Sequence, residues 1–146
     1  MPGKGKASNW FRRLRQSVRP RERPRRELGR IAEEAAARYL RAHGYRIRER
    51  NWRCPIGEID LIAVQGEAVV VIEVKSRSST DYARPEANVT IGKRRRLTAL
   101  ARAYLTTKSL DVFCRLEIAE VVITPQGRVA SIEVVPASFV DERRRS

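Results

Sequence analysis

Four ionisable residues interrupt two otherwise apolar runs: Glu58 and Asp60 in "GEIDLIAV", and Glu73 and Lys75 in "AVVVIEVKSR". The β-branched content of both runs predicts strands. Charges inside buried strands require a partner or a bound ion. If Gly66-Glu67 is a two-residue hairpin loop, with glycine where a type II′ turn needs it, Gln65 pairs with Ala68. Continuing that ladder places Asp60 opposite Glu73 and Glu58 opposite Lys75, and strand alternation puts all four on one face. Opposed carboxylates repel. A divalent cation relieves the repulsion, and hard oxygen ligands suit Mg²⁺ or Mn²⁺. A metal that polarises a phosphoryl oxygen and activates water, beside a lysine that neutralises developing charge, is what phosphodiester hydrolysis needs. The competing explanation is a buried Asp/Glu/Lys network that only fixes strand register.

The elements that must position these residues follow from periodicity. "LGRIAEEAAARYLRAHGY" predicts a first helix with Ile31, Ala35, Tyr39 and Leu40 as its apolar stripe and Gly44 as a left-handed cap. "YRIRERNW" alternates as a strand, and the hairpin follows. Thr90 is a good N-cap for a second helix burying Leu97, Leu100, Ala101, Tyr104 and Leu105. "RLEIAEVVIT" and "VASIEVV", separated by the turn "PQG", read as the last strands. The order αβββαββ predicts an α/β fold with a mixed central β-sheet flanked by helices.

The chain has 146 residues and a formal net charge of +14, an excess that attracts polyanions. Nucleic acid is the expected partner, DNA favoured and RNA possible. Much of the excess lies in residues 1 to 30, where eleven Lys/Arg stand against Glu22 and Glu27. Residues 1–27 are expected to be a basic arm too poor in apolar residues to fold alone. Within it Trp10, Phe11, Leu14 and Val18 recur at helical spacing, which would suit a helix formed on a polyanion or a membrane surface. The folded domain is expected over 28–140, with a tail at 141–146. No apolar run approaches a bilayer span, and no secretory pattern opens the chain. With Cys54 and Cys114 outside any zinc or CxxC spacing, these features predict a cytoplasmic protein with reduced thiols.

"GKRRR" carries Lys93, Arg94 and Arg95 into the first turn of the second helix. Cations there oppose the helix dipole by ~0.3 to 1 kcal/mol each, a placement that phosphate binding would explain. Arg53 and Arg77, flanking the two motifs, are further candidates for nucleic-acid contact. His43 beside Gly44 reads as a helix cap and Trp52 as a core anchor.

"ERNWRCPIGEIDLIA", "EVKSR", "AEEAAARYL", "GKRRRLTALARAYL" and "PASF" together resemble the YraN family of small bacterial proteins. That family is similar to Holliday junction resolvases and to restriction endonucleases of the PD-(D/E)xK type. The resemblance implies a restriction-endonuclease-like core and a metal-dependent endonuclease, a hydrolase of DNA, including branched or structured DNA. It implies Asp60 and Glu73 as metal-binding acids, Lys75 as the catalytic lysine, Glu33 as a glutamate approaching the metal, and Val74 as a backbone-carbonyl ligand. Lys93 falls on the family's helix lysine. Ala32 stands where the family usually has glycine, and Arg115-Leu116-Glu117 where it has Arg-Phe-Asp. The alternatives are a nucleic-acid-binding module of the same fold without catalytic activity, and an adaptor using its arm on a membrane or a protein.

Overall fold

A computed structural model describes residues 25–80 and 90–141; the expected arm, apart from its last residues, and the expected tail, apart from Asp141, lie outside them. Helix α1 (Arg25–Ala42) is followed by strands β1 (Arg46–Cys54), β2 (Gly57–Gln65) and β3 (Ala68–Ser78). Helix α2 (Ile91–Thr107) then leads to β4 (Phe113–Ile123) and β5 (Val129–Asp141). The strands form one sheet in the order β1-β2-β3-β4-β5, antiparallel throughout except for the parallel pair β3–β4. A parallel pair needs a crossover, and α2 lies in it. Among the described residues, no helix is long and apolar enough to cross a membrane.

Each helix covers one sheet face. On one side Ala32, Ala36, Ala37 and Leu40 of α1 pack on Leu61, Ala63, Val70, Ile72, Ala119 and Val121. The buried stripe is therefore not the expected Ile31, Ala35 and Tyr39, which are only partly buried. Small alanines let α1 lie close to the sheet, and the larger side chains flank the contact. Gly44 takes the expected left-handed cap, at φ 85°. On the other side Leu97, Leu100, Ala101, Tyr104 and Leu105 of α2 are all buried, as their spacing predicts. They pack on Ile59, Ile62, Val71, Leu116 and Ile118. Thr90 caps this helix by accepting the Lys93 N–H at 3.2 Å.

The β2–β3 hairpin has the expected register at its turn: Gln65 pairs with Ala68, and Gly66 has φ 59°. The ladder stops at Leu61↔Ile72. Asp60 thus does not face Glu73 across a ladder, and Glu58 does not face Lys75, contrary to the extrapolated register. Glu58 instead pairs with Arg53 of β1. The cause is a change of face. Arg50 points to α1, where it bonds Glu34, and its partner Leu61 packs on that side. Trp52 and its partner Ile59 pack on the α2 side. Asn51, between the two pairs, has φ 51° and breaks the alternation.

β5 runs past Pro136, which a central strand would not tolerate. As the edge strand it has no further neighbour needing an N–H, and a register shift between Leu116 and Glu117 falls beside it.

Candidate active site

Where β2 and β3 part, Asp60 fills the gap. Its Oδ2 accepts the Val74 N–H at 2.8 Å, a bond that a β2 carbonyl would otherwise make. Burial is the main cause that lifts the Asp60 carboxyl to about 6. The Val74 hydrogen bond works against this, while the charges of Glu33, Glu73 and Glu58 add to it. Glu33 of α1 therefore reaches the site through its field, although it lies on the helix across the sheet.

Asp60, Glu73 and Glu58 line one cavity of about 150 Å³, closed by Ile59, Ile72, Arg96, Leu97 and Leu100. Gly57, next to Glu58, has a φ of 151°, a conformation that favours glycine, and a Cβ there would stand 3.4 Å from Leu100 Cδ2 of α2. Glu73 Oε2 is withdrawn from solvent and receives no hydrogen bond. Lys93 Nζ lies 3.2 Å from that oxygen, with the distance of an ion pair but without hydrogen-bond geometry. The two observations describe one contact, a charge pair that leaves a lone pair of Oε2 unused.

Lys75 stands two residues beyond Glu73 on the same face of β3, half-buried, in register with Glu120 of β4. Arg77, next on that face, approaches Glu120 at 4.0 Å, with both side chains largely buried. Arg53 lies 3.5 Å from Glu58. Of the five expected nucleic-acid contacts, Lys93, Arg53 and Arg77 are therefore engaged by acids. Arg94 and Arg95 lie on the exposed side of α2 with Ile91 and Thr98, and no acid among the described residues pairs with them.

The donor set fits a hard divalent cation in chemistry: carboxylate oxygens lining one cavity, one of them without a hydrogen bond, and an aspartate burdened by like charge. Among the described residues no group of three or more His, Cys, Asp or Glu side chains is placed to hold a metal ion.

Sequence reasoning missed Arg96 and Glu120. Arg96 was legible in principle, standing three residues after Lys93 and four before Leu100, so that one helix face carries all three. Glu120 gave no signal, because an isolated glutamate in a strand is indistinguishable from an exposed one until the neighbouring strand is known. His43 is a cap, its Nδ1 2.7 Å from the Tyr39 carbonyl, and Trp52 meets Tyr104 edge to face at 5.2 Å. Among the described residues neither Cys54 nor Cys114 forms a disulfide.

A second polar cluster lies apart from the acids. The Tyr45 hydroxyl donates to Glu117 at 2.9 Å, Arg115 Nε donates to the same carboxylate at 3.2 Å, and Arg115 also bonds Gln65. Glu117 is thus held by Tyr45 and Arg115.

Comparison with known proteins gives a match to the family model described as "Uncharacterised protein family UPF0102" over residues 32–122. A UPF0102 protein of Moorella thermoacetica is 47% identical over 116 residues, 79% of this chain and 97% of the relative. One from Syntrophus aciditrophicus is 41% identical over 112 residues, 76% of this chain and 87% of the relative. A third, from Myxococcus xanthus, is 37% identical over 116 residues, 79% of this chain and 90% of the relative.

Proposed function

The chain belongs to the UPF0102 (YraN) family, and from its acid cavity we propose that it is a metal-dependent nuclease hydrolysing phosphodiester bonds in DNA, including branched or structured DNA. The observation that carries this reading is the parting of β2 and β3, which sets Asp60 on the Val74 N–H and leaves Glu73 Oε2 without a hydrogen bond in one cavity. A carboxylate oxygen held by one ammonium without a hydrogen bond, beside an aspartate whose carboxyl is raised, supports a site for a further cation.

In this proposal Asp60 and Glu73, with the Val74 carbonyl, would hold Mg²⁺ or Mn²⁺, and Glu33, whose charge already acts on Asp60, would approach it from α1. A bound cation of this type polarises a phosphoryl oxygen and makes water a stronger nucleophile at neutral pH. The Val74 N–H fixes the orientation of the Asp60 carboxylate. Lys75 offers an ammonium group that offsets charge developing on the phosphate. Arg94 and Arg95 contact the backbone of the nucleic acid and set its position. Leu97 and Leu100 wall the cavity and limit water. A cytoplasmic location belongs to the same proposal and accords with two cysteines that form no disulfide.

The test is a panel of linear, flapped and four-way DNA, with RNA counterparts, incubated with Mn²⁺. Wild type cleaves at least one DNA. Asp60→Ala, Glu73→Ala and Lys75→Ala each abolish cleavage and keep binding. Cleavage retained by purified Asp60→Ala would overturn the site.

One observation favours a second reading. Lys93 already neutralises Glu73, as it would in a nucleic-acid-binding module of nuclease-like fold without activity. Binding across the panel with no cleavage by wild type decides for that module.

A further inference from the structure

Among the described residues Glu73 Oε2 is approached by one cation, the ammonium of Lys93 at 3.2 Å. The lysine comes from the first turn of α2, where a positive charge opposes the helix dipole, so the helix itself does not favour it there. Its contact lacks hydrogen-bond geometry and leaves the oxygen otherwise unsatisfied. Arg96, one turn on, lines the same cavity, so the helix face above the acids is basic. Lys93 is partly exposed, with 28% of its side chain accessible, and a side chain of that length can swing away from Glu73 toward solvent.

We propose that Lys93 and a divalent cation compete for Glu73 Oε2, so that cation binding hands Lys93 over to a phosphate of the nucleic acid. Lys93 is then a positioning residue that couples the two ligands. It holds the acid until the cation arrives and contributes a phosphate contact afterwards. By linkage, whatever favours Lys93 on the phosphate also favours the cation on Glu73. The inference rests on the metal-dependent reading and adds an order to it.

The test measures Mn²⁺ uptake by the full chain without nucleic acid, from the electron paramagnetic resonance signal of free Mn²⁺. Lys93→Met keeps the length of the stem and removes the competitor. It is expected to bind Mn²⁺ about threefold tighter or more, as loss of a partly buried ion-pair partner implies, while Lys93→Arg stays near wild type. Affinity in Lys93→Met equal to or weaker than wild type overturns the competition and leaves the metal site standing. No uptake by either protein overturns the metal-dependent reading and the competition together. The transfer to phosphate has its own readout, binding of a phosphorothioate duplex at a series of salt concentrations. In wild type the log–log slope steepens by about 0.9 when Mn²⁺ replaces EDTA, one contact's worth. The Lys93→Met slope does not steepen. A wild-type slope unchanged by Mn²⁺ overturns the transfer.

Discussion

The Asp60 carboxylate accepts the Val74 N–H at 2.8 Å across the gap where the β2–β3 ladder has ended. A side chain thus stands in for a strand at the centre of a sheet. The substitution satisfies the backbone donor, and it also anchors an acid among Glu33, Glu58 and Glu73, where its ionisation is unfavourable. Stability and site chemistry are coupled at this bond.

That coupling fixes a pH dependence. The Asp60 carboxyl is raised from 3.8 to about 6, so between those values the folded protein holds a proton that the unfolded chain has lost. Its contribution to stability is complete below pH about 4 and is lost as pH rises through about 6. The full linkage value would be about 3 kcal/mol, and screening at this partly exposed group reduces it to about 1 to 2 kcal/mol. Asp60→Asn removes the charge and can still accept the Val74 N–H through its amide oxygen. Urea denaturation in EDTA should find the variant more stable than wild type by that amount at pH 7.5 and about equal to it at pH 3.5. A difference that does not grow between pH 4 and 6 contradicts the assignment.

Metal should reverse the ranking. A ligand that binds only the folded state stabilises by RT ln(1 + [L]/Kd), about 2.7 kcal/mol at a hundredfold excess over Kd. Thermal melts with Mn²⁺ should therefore raise the wild-type midpoint and leave Asp60→Asn nearly unmoved. Equal responses of the two proteins would take Asp60 out of the ligand set.

The order of elements, both helices, the Gln65–Ala68 turn and the whole buried face of α2 were legible in the sequence, because each rests on local period or turn chemistry. Three of the four charges, Glu58, Asp60 and Glu73, line one cavity as their spacing suggested, while Lys75 is not among its lining residues. What failed was extrapolation of the ladder beyond Leu61. The alternation of "EIDLIAV" gives no sign that Ile59 and Leu61 face opposite helices, since the break depends on Asn51 in the neighbouring strand. The α1 stripe was misplaced for a related reason. Ranking by hydrophobicity selects Ile31 and Tyr39, whereas close helix-to-sheet packing selects Ala32, Ala36 and Ala37.

Asn51 offers a direct test of the change of face. Its φ of 51° is one that asparagine and glycine adopt readily, while a β-branched residue does so at about 1 to 2 kcal/mol. Asn51→Gly should fold with stability within about 0.5 kcal/mol of wild type. Asn51→Val should lose that 1 to 2 kcal/mol and disturb the Trp52–Tyr104 contact, visible as a shift in tryptophan emission. An Asn51→Val protein with unchanged stability and emission would mean that the alternation is broken elsewhere.

The basic residues divide into those held by acids and those facing solvent, and the division predicts how each affects nucleic-acid binding. Arg94 and Arg95 are exposed, and no acid among the described residues pairs with them, so their charge is available to phosphates. Arg77 lies against Glu120 with only 17% of its side chain accessible, and moving it to a phosphate would strand a buried carboxylate. Each phosphate contact contributes about 0.9 to the log–log salt slope on duplex DNA. Replacing Arg94 and Arg95 together by alanine should therefore flatten the slope by up to about 1.8 without lowering the melting temperature. Arg77→Ala should do the reverse, leaving the slope nearly unchanged while destabilising the sheet around Glu120. Fluorescence anisotropy across a salt series in EDTA, paired with thermal melts, separates the two behaviours. A flattened slope for Arg77→Ala, with none for the double variant, would move the interface from the outer face of α2 to the end of β3.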